Sequence, residues 1–165
     1  MTPALGTRVV ENRAATATLS ARAGNGQKAL LIADLTTADP PDPDLYSITI
    51  AEALDAGKPA VVVFSTPAYC TSAICGPQLE VVRELKDRHK DQTNFIHLDI
   101  YANPAEIQGD LSRARLNPAL SEWGLPSEPW TFLVDAQGRL AAKFEGFATR
   151  EELEEALLPL LSGTG

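Results

Sequence analysis

Two cysteines lie five positions apart in a chain of 165 residues, and the sequence contains no others. Cys70 follows an apolar run, and Cys75 precedes Gly76-Pro77 and an amphipathic segment. In an unbroken helix this separation gives a rise of about 7.5 Å, more than the roughly 4.4 to 6.8 Å between the Cα atoms of a disulfide. The two sulfurs can therefore bond only if Cys70 lies in a loop and the helix begins close to Cys75.

A helix that begins near Cys75 would favour the ionised form of a cysteine beside it. Its unsatisfied N–H groups and the positive end of its dipole stabilise a thiolate, which is the nucleophile of disulfide exchange. Pro77 lacks an N–H and fits a first helical turn. If Thr71 or Ser72 caps the helix, the chain can curl back so that Cys70 meets Cys75. The residues alone leave two interpretations open, a reactive pair or two cysteines with a structural role.

The elements that must position this pair alternate between strands and helices. From a capping box that begins at Thr49, the pattern predicts helix, strand, helix, strand, helix, two strands and a final helix that Thr149 opens. Predicted strands cover residues 60–64, 94–101, 130–134 and 139–144, and the longer predicted helices cover residues 78 to about 90 and 117–124. This order implies an α/β fold with a mixed sheet and helices on both faces.

The first 45 residues differ in character from the rest. Residues 16–19 and 29–33 have β-type composition on either side of Gly24-Asn25-Gly26, which predicts two strands. Residues 38–44 contain three prolines and three aspartates and predict an extended connector. We therefore divide the chain into an N-terminal β extension with its connector at 1–45 and a domain at 46–165.

Composition restricts the partners. With 22 acidic and 14 basic side chains the formal charge is −8, so nucleic acid and anionic lipid surfaces would on average repel the chain. No apolar stretch approaches the roughly 20 residues that span a bilayer, and residues 1–6 lack the pattern of a signal peptide. We interpret His97 as a satisfied core histidine and His89 as a solvated one, and we expect neither a metal site nor a cofactor.

From about residue 47 to residue 162, the order of elements and motifs resembles the thioredoxin fold. An apolar strand ending in Phe64 leads to Cys70 and a long helix, and Pro129 precedes the next strand. The resemblance implies a redox-active corner faced by a cis-proline at Pro129. Two features depart from the family: the cysteines have C-x-x-x-x-C spacing, and Val61, Val62 and Val63 occupy the stretch where many members keep a buried acid. A proton acceptor near the cysteines is therefore not evident.

The resemblance implies a thiol–disulfide oxidoreductase that exchanges disulfides with protein clients. Cys70, in the loop ahead of the helix, would attack, and Cys75 would resolve the mixed disulfide. Pro129, with Glu128 and Tyr69, would line the client groove. Similarity to extracytoplasmic proteins of the TlpA type, which carry an N-terminal strand extension, implies a bacterial exported or membrane-tethered origin, with a cytoplasmic location as the alternative.

Three other classes of protein remain as alternatives. A copper(I) chaperone similar to the SCO proteins would use both thiolates, but that family adds a distal histidine, and no histidine follows His97. A non-catalytic binding domain would use the groove, with the disulfide only bracing the corner. A peroxidase similar to the peroxiredoxins would need a cation, for which Arg113, Arg115 or Arg139 is available.

Overall fold

A computed structural model describes residues 5–6, 32–70 and 73–162. Within these ranges a four-stranded sheet has the order β2-β1-β3-β4, where β1 is Ala60–Ser65, β2 is Asn94–Asp99, β3 is Trp130–Val134 and β4 is Leu140–Glu145. Strand β1 is parallel to β2 and antiparallel to β3, which forms a hairpin with β4. The predicted mixed α/β sheet is confirmed.

The described residues form five α-helices: α1 is Ile50–Asp55, α2 is Cys75–His89, α3 is Pro104–Ile107, α4 is Ala119–Glu122 and α5 is Arg150–Ser162. Short 3-10 turns occupy Ile32–Asp34, Pro43–Tyr46 and Leu111–Arg113. The hydroxyl of Thr49 accepts a bond from the backbone N–H of Glu52 at the start of α1. Thr149 and Glu152 bond reciprocally at the start of α5. Both helices therefore begin where the capping boxes predict.

Strand β1 is buried along its whole length because helices cover both faces of the sheet. Val61 and Val63 belong to a cluster with apolar side chains of α2 and α5. Val62 and Phe64 belong to a second cluster with side chains of α1 and α4. An uninterrupted apolar run is the expected sequence for a central strand in this position.

Residues 32–46 pack against the sheet face that carries α2 and α5. Leu45 is fully buried and Tyr46 nearly so, and both belong to that cluster. The buried ammonium of Lys86 lies 2.8 Å from Asp42 and 3.1 Å from Asp44. The predicted connector is docked on the sheet, where its aspartates supply the carboxylate partners that a buried ammonium requires.

Several sequence predictions differ from the structure or fall outside it. Strand β2 ends at Asp99, and Tyr101 forms only an isolated bridge with Leu116. The predicted strand at 16–19 and most of that at 29–33 lie outside the described residues, whereas Ile32 and Ala33 belong to a 3-10 turn. The N-terminal β extension therefore remains a prediction. Across the described ranges, no helix is long and apolar enough to cross a membrane.

Candidate functional site

Cys70 and Cys75 form a disulfide at the N-terminus of α2, with their Cα atoms 6.0 Å apart. Cys75 is the first residue of the helix, and Cys70 lies in the loop that follows β1. This is the arrangement that the five-residue spacing requires for bonding. The two cysteines differ in exposure, since Cys75 is fully buried and Cys70 is half-buried.

The disulfide lies at the N-terminus of α2, where the first N–H groups of a helix lack helical partners. The N-cap position belongs to Ile74, which makes no side-chain cap bond, whereas Thr71 and Ser72, the caps considered from the sequence, lie outside the described residues. The N–H of Gln78 donates to the carbonyl of Ile74 at 2.9 Å at the start of the helix. The first turn also contains no carboxylate, and the helix end is therefore electropositive.

The loop that carries Pro129 adjoins this corner. The peptide bond between Glu128 and Pro129 is cis. The N–H of Gly146 donates to the carbonyl of Pro129 at 2.8 Å, and a Cβ placed on Gly146 would lie 3.8 Å from Cδ1 of Ile74. Pro129, Gly146 and Ile74 thus lie side by side, next to the helical cysteine.

Tyr69 and Glu128 both approach Tyr101. The hydroxyl of Tyr69 accepts a hydrogen bond from the backbone N–H of Gly109 at 2.9 Å, and its ring meets that of Tyr101 edge-on at 6.2 Å. Burial raises the pKa of Tyr101, and the nearby charges of Glu128 and Asp99 raise it further. Tyr69 therefore anchors the loop after α3, while contact of Tyr69 or Glu128 with a client remains a prediction.

A buried polar cluster that was not predicted from the sequence contains His97 and Asp99 of β2 and lies where β1 leads into the Cys70 loop. His97 and Asp99 are 3% and 1% exposed. They pair with Val63 and Ser65 of β1. The neighbouring residues of β2, Ile96 and Leu98, face the cluster of α1 and α4. Because side chains alternate along a strand, His97 and Asp99 project to the opposite face of the sheet, toward α2. The signal was available as a histidine and an aspartate two positions apart at the end of a buried strand.

The ring of His97 is bonded at both nitrogens. Its Nδ1 lies 2.6 Å from the hydroxyl of Tyr46, and its Nε2 lies 3.0 Å from the carbonyl oxygen of Ser65. Burial lowers the pKa of His97, although the charge of Asp99 and the bond to Ser65 oppose this effect. The prediction of a satisfied core histidine is confirmed.

The carboxylate of Asp99 accepts three hydrogen bonds from neighbouring residues. Its Oδ2 accepts from the N–H of Thr37 at 2.7 Å and from the Thr37 hydroxyl at 2.8 Å. Its Oδ1 accepts from the N–H of Tyr101 at 3.2 Å. A buried carboxylate thus lies at the end of the sheet where β1 leads into the Cys70 loop, and it comes from β2 instead of the valine stretch of β1.

The remaining candidate side chains have partners of their own. His89 lies 2.7 Å from Glu154 with 14% of its side chain exposed, so the prediction that it is solvated is wrong. The three arginines considered as a peroxidase cation contact other groups: Arg113 contacts Asp110, Arg115 contacts Glu106, and Arg139 donates to the carbonyl of Gly6. In the part of the chain that the structure describes, no group of three histidine, cysteine or carboxylate side chains could hold a metal ion.

Comparison with known proteins identifies one family and several structures of the same fold. The family described as thioredoxin-like domain matches residues 46–160. A protein assigned as the thiol:disulfide interchange protein DsbE of Chlorobium tepidum superimposes with a TM-score of 0.51 at 16% identity, over 64% of this chain and 82% of that one. A thioredoxin-like protein solved in its oxidised form gives 0.51 at 17% identity, over 66% and 80%. No curated protein sequence matches the chain.

Proposed function

Because the chain belongs to the thioredoxin-like domain family, whose match spans residues 46–160, we propose that it is a thiol–disulfide oxidoreductase acting on protein clients. The observation that carries this proposal is the disulfide between Cys70 and Cys75 at the start of α2. It joins a half-buried sulfur to a fully buried one. Both lie at a helix end that stabilises negative charge on sulfur.

Cys70 is the cysteine that meets the client, because Cys70 is half-buried whereas Cys75 is fully buried. In the oxidising direction, a client thiolate attacks Sγ of Cys70, the bond to Cys75 breaks, and Cys75 leaves as a thiolate. A second client thiolate then attacks the client sulfur of the mixed disulfide, and Cys70 leaves as a thiolate. The client dithiol loses two electrons to Cys70 and Cys75, and its two protons pass through solvent to the thiolates that form there. The reducing direction reverses each step.

Pro129, Glu128 and Tyr69 supply the client groove in this proposal. The contacts that place Pro129 and Gly146 beside Ile74, next to Cys75, support this groove. A client whose sulfur is bonded to Cys70 would have its backbone close to this loop. As part of the same proposal the chain works outside the cytoplasm, because protein disulfides persist in oxidising compartments.

The test is a redox titration of the folded protein against reduced and oxidised glutathione, with the thiol state read by alkylation and mass spectrometry. We expect a reversible two-electron transition at a potential above about −300 mV, the range of exchanging disulfides. We also expect the dithiol form to reduce a protein disulfide such as that of insulin. A disulfide that glutathione leaves intact at every ratio would instead identify a structural brace in a non-catalytic domain.

A further inference from the structure

Thr37 lies upstream of the residues that match the family, yet its hydroxyl reaches the redox corner. That hydroxyl donates to Oδ2 of Asp99 at 2.8 Å and accepts from the backbone N–H of Ala68 at 3.2 Å. Its oxygen also lies 3.3 Å from the hydroxyl of Thr66. A hydroxyl has one proton to donate and two lone pairs to accept with. Since its proton goes to Asp99, the Thr66 hydroxyl donates, and the Thr37 hydroxyl is fully used.

We propose that Thr37 is a positioning residue for disulfide exchange at Cys70, an inference that rests on the proposed function. Ala68 lies two residues before Cys70 in the loop that leaves β1. A hydrogen bond to its N–H fixes the path by which the loop brings Cys70 toward Cys75. Thr37 touches neither sulfur, so its effect is on the placement of Cys70.

Asp99 makes Thr37 a rigid support. Both the backbone N–H and the hydroxyl of Thr37 donate to the same carboxylate oxygen, which fixes the backbone and the side chain together. Asp99 is itself held at 1% exposure by strand β2 and by the N–H of Tyr101. Charge-assisted bonds to a buried carboxylate are stronger than neutral ones. The order of support is therefore from the sheet to Asp99, to Thr37, and to the loop at Ala68.

The hydrogen bond from Ala68 to Thr37 affects the redox equilibrium because it changes the effective concentration of the Cys70 sulfur at the Cys75 sulfur. The reaction is the disulfide plus two glutathione thiols giving the dithiol plus glutathione disulfide. A loop that is held in the bonded arrangement raises the effective concentration of Cys70 at Cys75 and favours the disulfide. A loop released at Ala68 samples other paths, and the equilibrium moves toward the dithiol.

The experiment measures the equilibrium constant with glutathione for the whole chain and three variants. Thr37→Val keeps the branched shape and removes the hydroxyl, whereas Thr37→Ser restores the hydroxyl. Thr49→Val is the matched control, because it removes a hydroxyl that caps α1 outside the redox corner. Urea unfolding of the oxidised proteins gives the stability of each, and Thr37→Ala replaces the valine variant if that one does not fold.

We expect Thr37→Val to shift the equilibrium toward the dithiol by about threefold to tenfold. Thr37→Ser should return to within about twofold of the wild type, and Thr49→Val should lose stability with an unchanged equilibrium constant. If Thr37→Val only loses stability, as the control does, Thr37 is a structural tie and the positioning role is refuted. A wild-type disulfide that does not exchange at all would instead refute the proposed function, and the positioning role with it.

Discussion

The hydroxyl of Tyr46 lies 2.6 Å from Nδ1 of His97, and this distance, with the partner on the far side of the ring, defines the tautomer. Nε2 faces two oxygens of Ser65: the hydroxyl at 2.9 Å, which can accept or donate, and the carbonyl at 3.0 Å, which can only accept a hydrogen bond. Nε2 therefore carries the proton and donates, and Nδ1 accepts from the Tyr46 hydroxyl. The ring is neutral and its two nitrogens are both satisfied, as a buried histidine requires.

The neutral state of His97 predicts that the protein loses stability as the pH falls below about 6.5, the ordinary pKa of histidine. Burial lowers the pKa of His97 in the folded state, so the unfolded chain binds a proton there before the folded one does. Lowering the pH therefore favours unfolding, by up to about 1.4 kcal/mol per pH unit. The loss ends when the pH reaches the lowered pKa of the folded state.

Urea unfolding of the wild type and of His97→Gln at pH 7.5, 6.5 and 5.5 checks this prediction. The glutamine side chain does not titrate. Subtracting the free energy of unfolding of His97→Gln from that of the wild type at each pH therefore removes the contributions of the other titrating groups. Tyr46 and Asp99 stay in place in both proteins. A difference between the two proteins that stays constant over this pH range would contradict the prediction.

Lys86→Met should lower the free energy of unfolding by about 2 kcal/mol. Burial by itself would lower the pKa of Lys86, but bonds to Asp42, Asp87 and Asp44 outweigh that effect and raise it. Removing the ammonium leaves Asp42, which is only 10% exposed, with the more distant guanidinium of Arg83 at 3.7 Å as a cation. Denaturant unfolding measures the loss, and Lys90→Met, at an exposed position one turn further on, should change stability by less than about 0.5 kcal/mol.

Cys75→Ser should accumulate a mixed disulfide between Cys70 and a client, whereas Cys70→Ser should not. Without the second thiol the covalent intermediate cannot be resolved within the site. Non-reducing electrophoresis followed by mass spectrometry of the linked peptide detects the adduct. Each variant controls for the other, because both lack the disulfide. Trapping by Cys70→Ser alone would show that the order of the two thiols is reversed.

Phe147→Ala should raise KM for a protein disulfide by about threefold to tenfold, while reduction of the site by dithiothreitol stays unchanged. Phe147 is 47% exposed and follows Gly146, which lies against Ile74. A large exposed apolar side chain here would contact a client but not a small thiol. Leu158→Ala is the comparison, because this leucine on α5 has similar exposure at 49%. Equal effects of the two substitutions would argue against a client contact.

The elements that position the disulfide could be predicted because their signals are local. The apolar run that forms β1 can be buried only between two layers, and the capping boxes at Thr49 and Thr149 mark helix starts with their own side chains. If Cys70 and Cys75 are bonded, their spacing and the position of Pro77 indicate a helix that begins close to Cys75, as α2 does. Each of these inferences needs only residues that are neighbours in the sequence.

The polar cluster could not be predicted in the same way, because its bonds join residues far apart in the chain. Thr37 and Asp99 are 62 positions apart, and Tyr46 and His97 are 51 apart. Nothing in the composition of residues 32–46 indicates that this segment docks on the sheet, since its prolines and aspartates also suit an extended linker. Only the tertiary fold shows that this segment is bonded to Lys86 through Asp42 and Asp44 and to Asp99 through Thr37.

The docking of residues 32–46 sets a limit on how the chain can be shortened. A recombinant fragment that begins at the family border, residue 46, would uncover the pocket vacated by Leu45 and would deprive Asp99 of both its Thr37 donors. Such a fragment would contain every element that the family shares and still lack part of its interior. A fragment that keeps this interior complete therefore has to begin upstream of the family border, early enough to include Thr37.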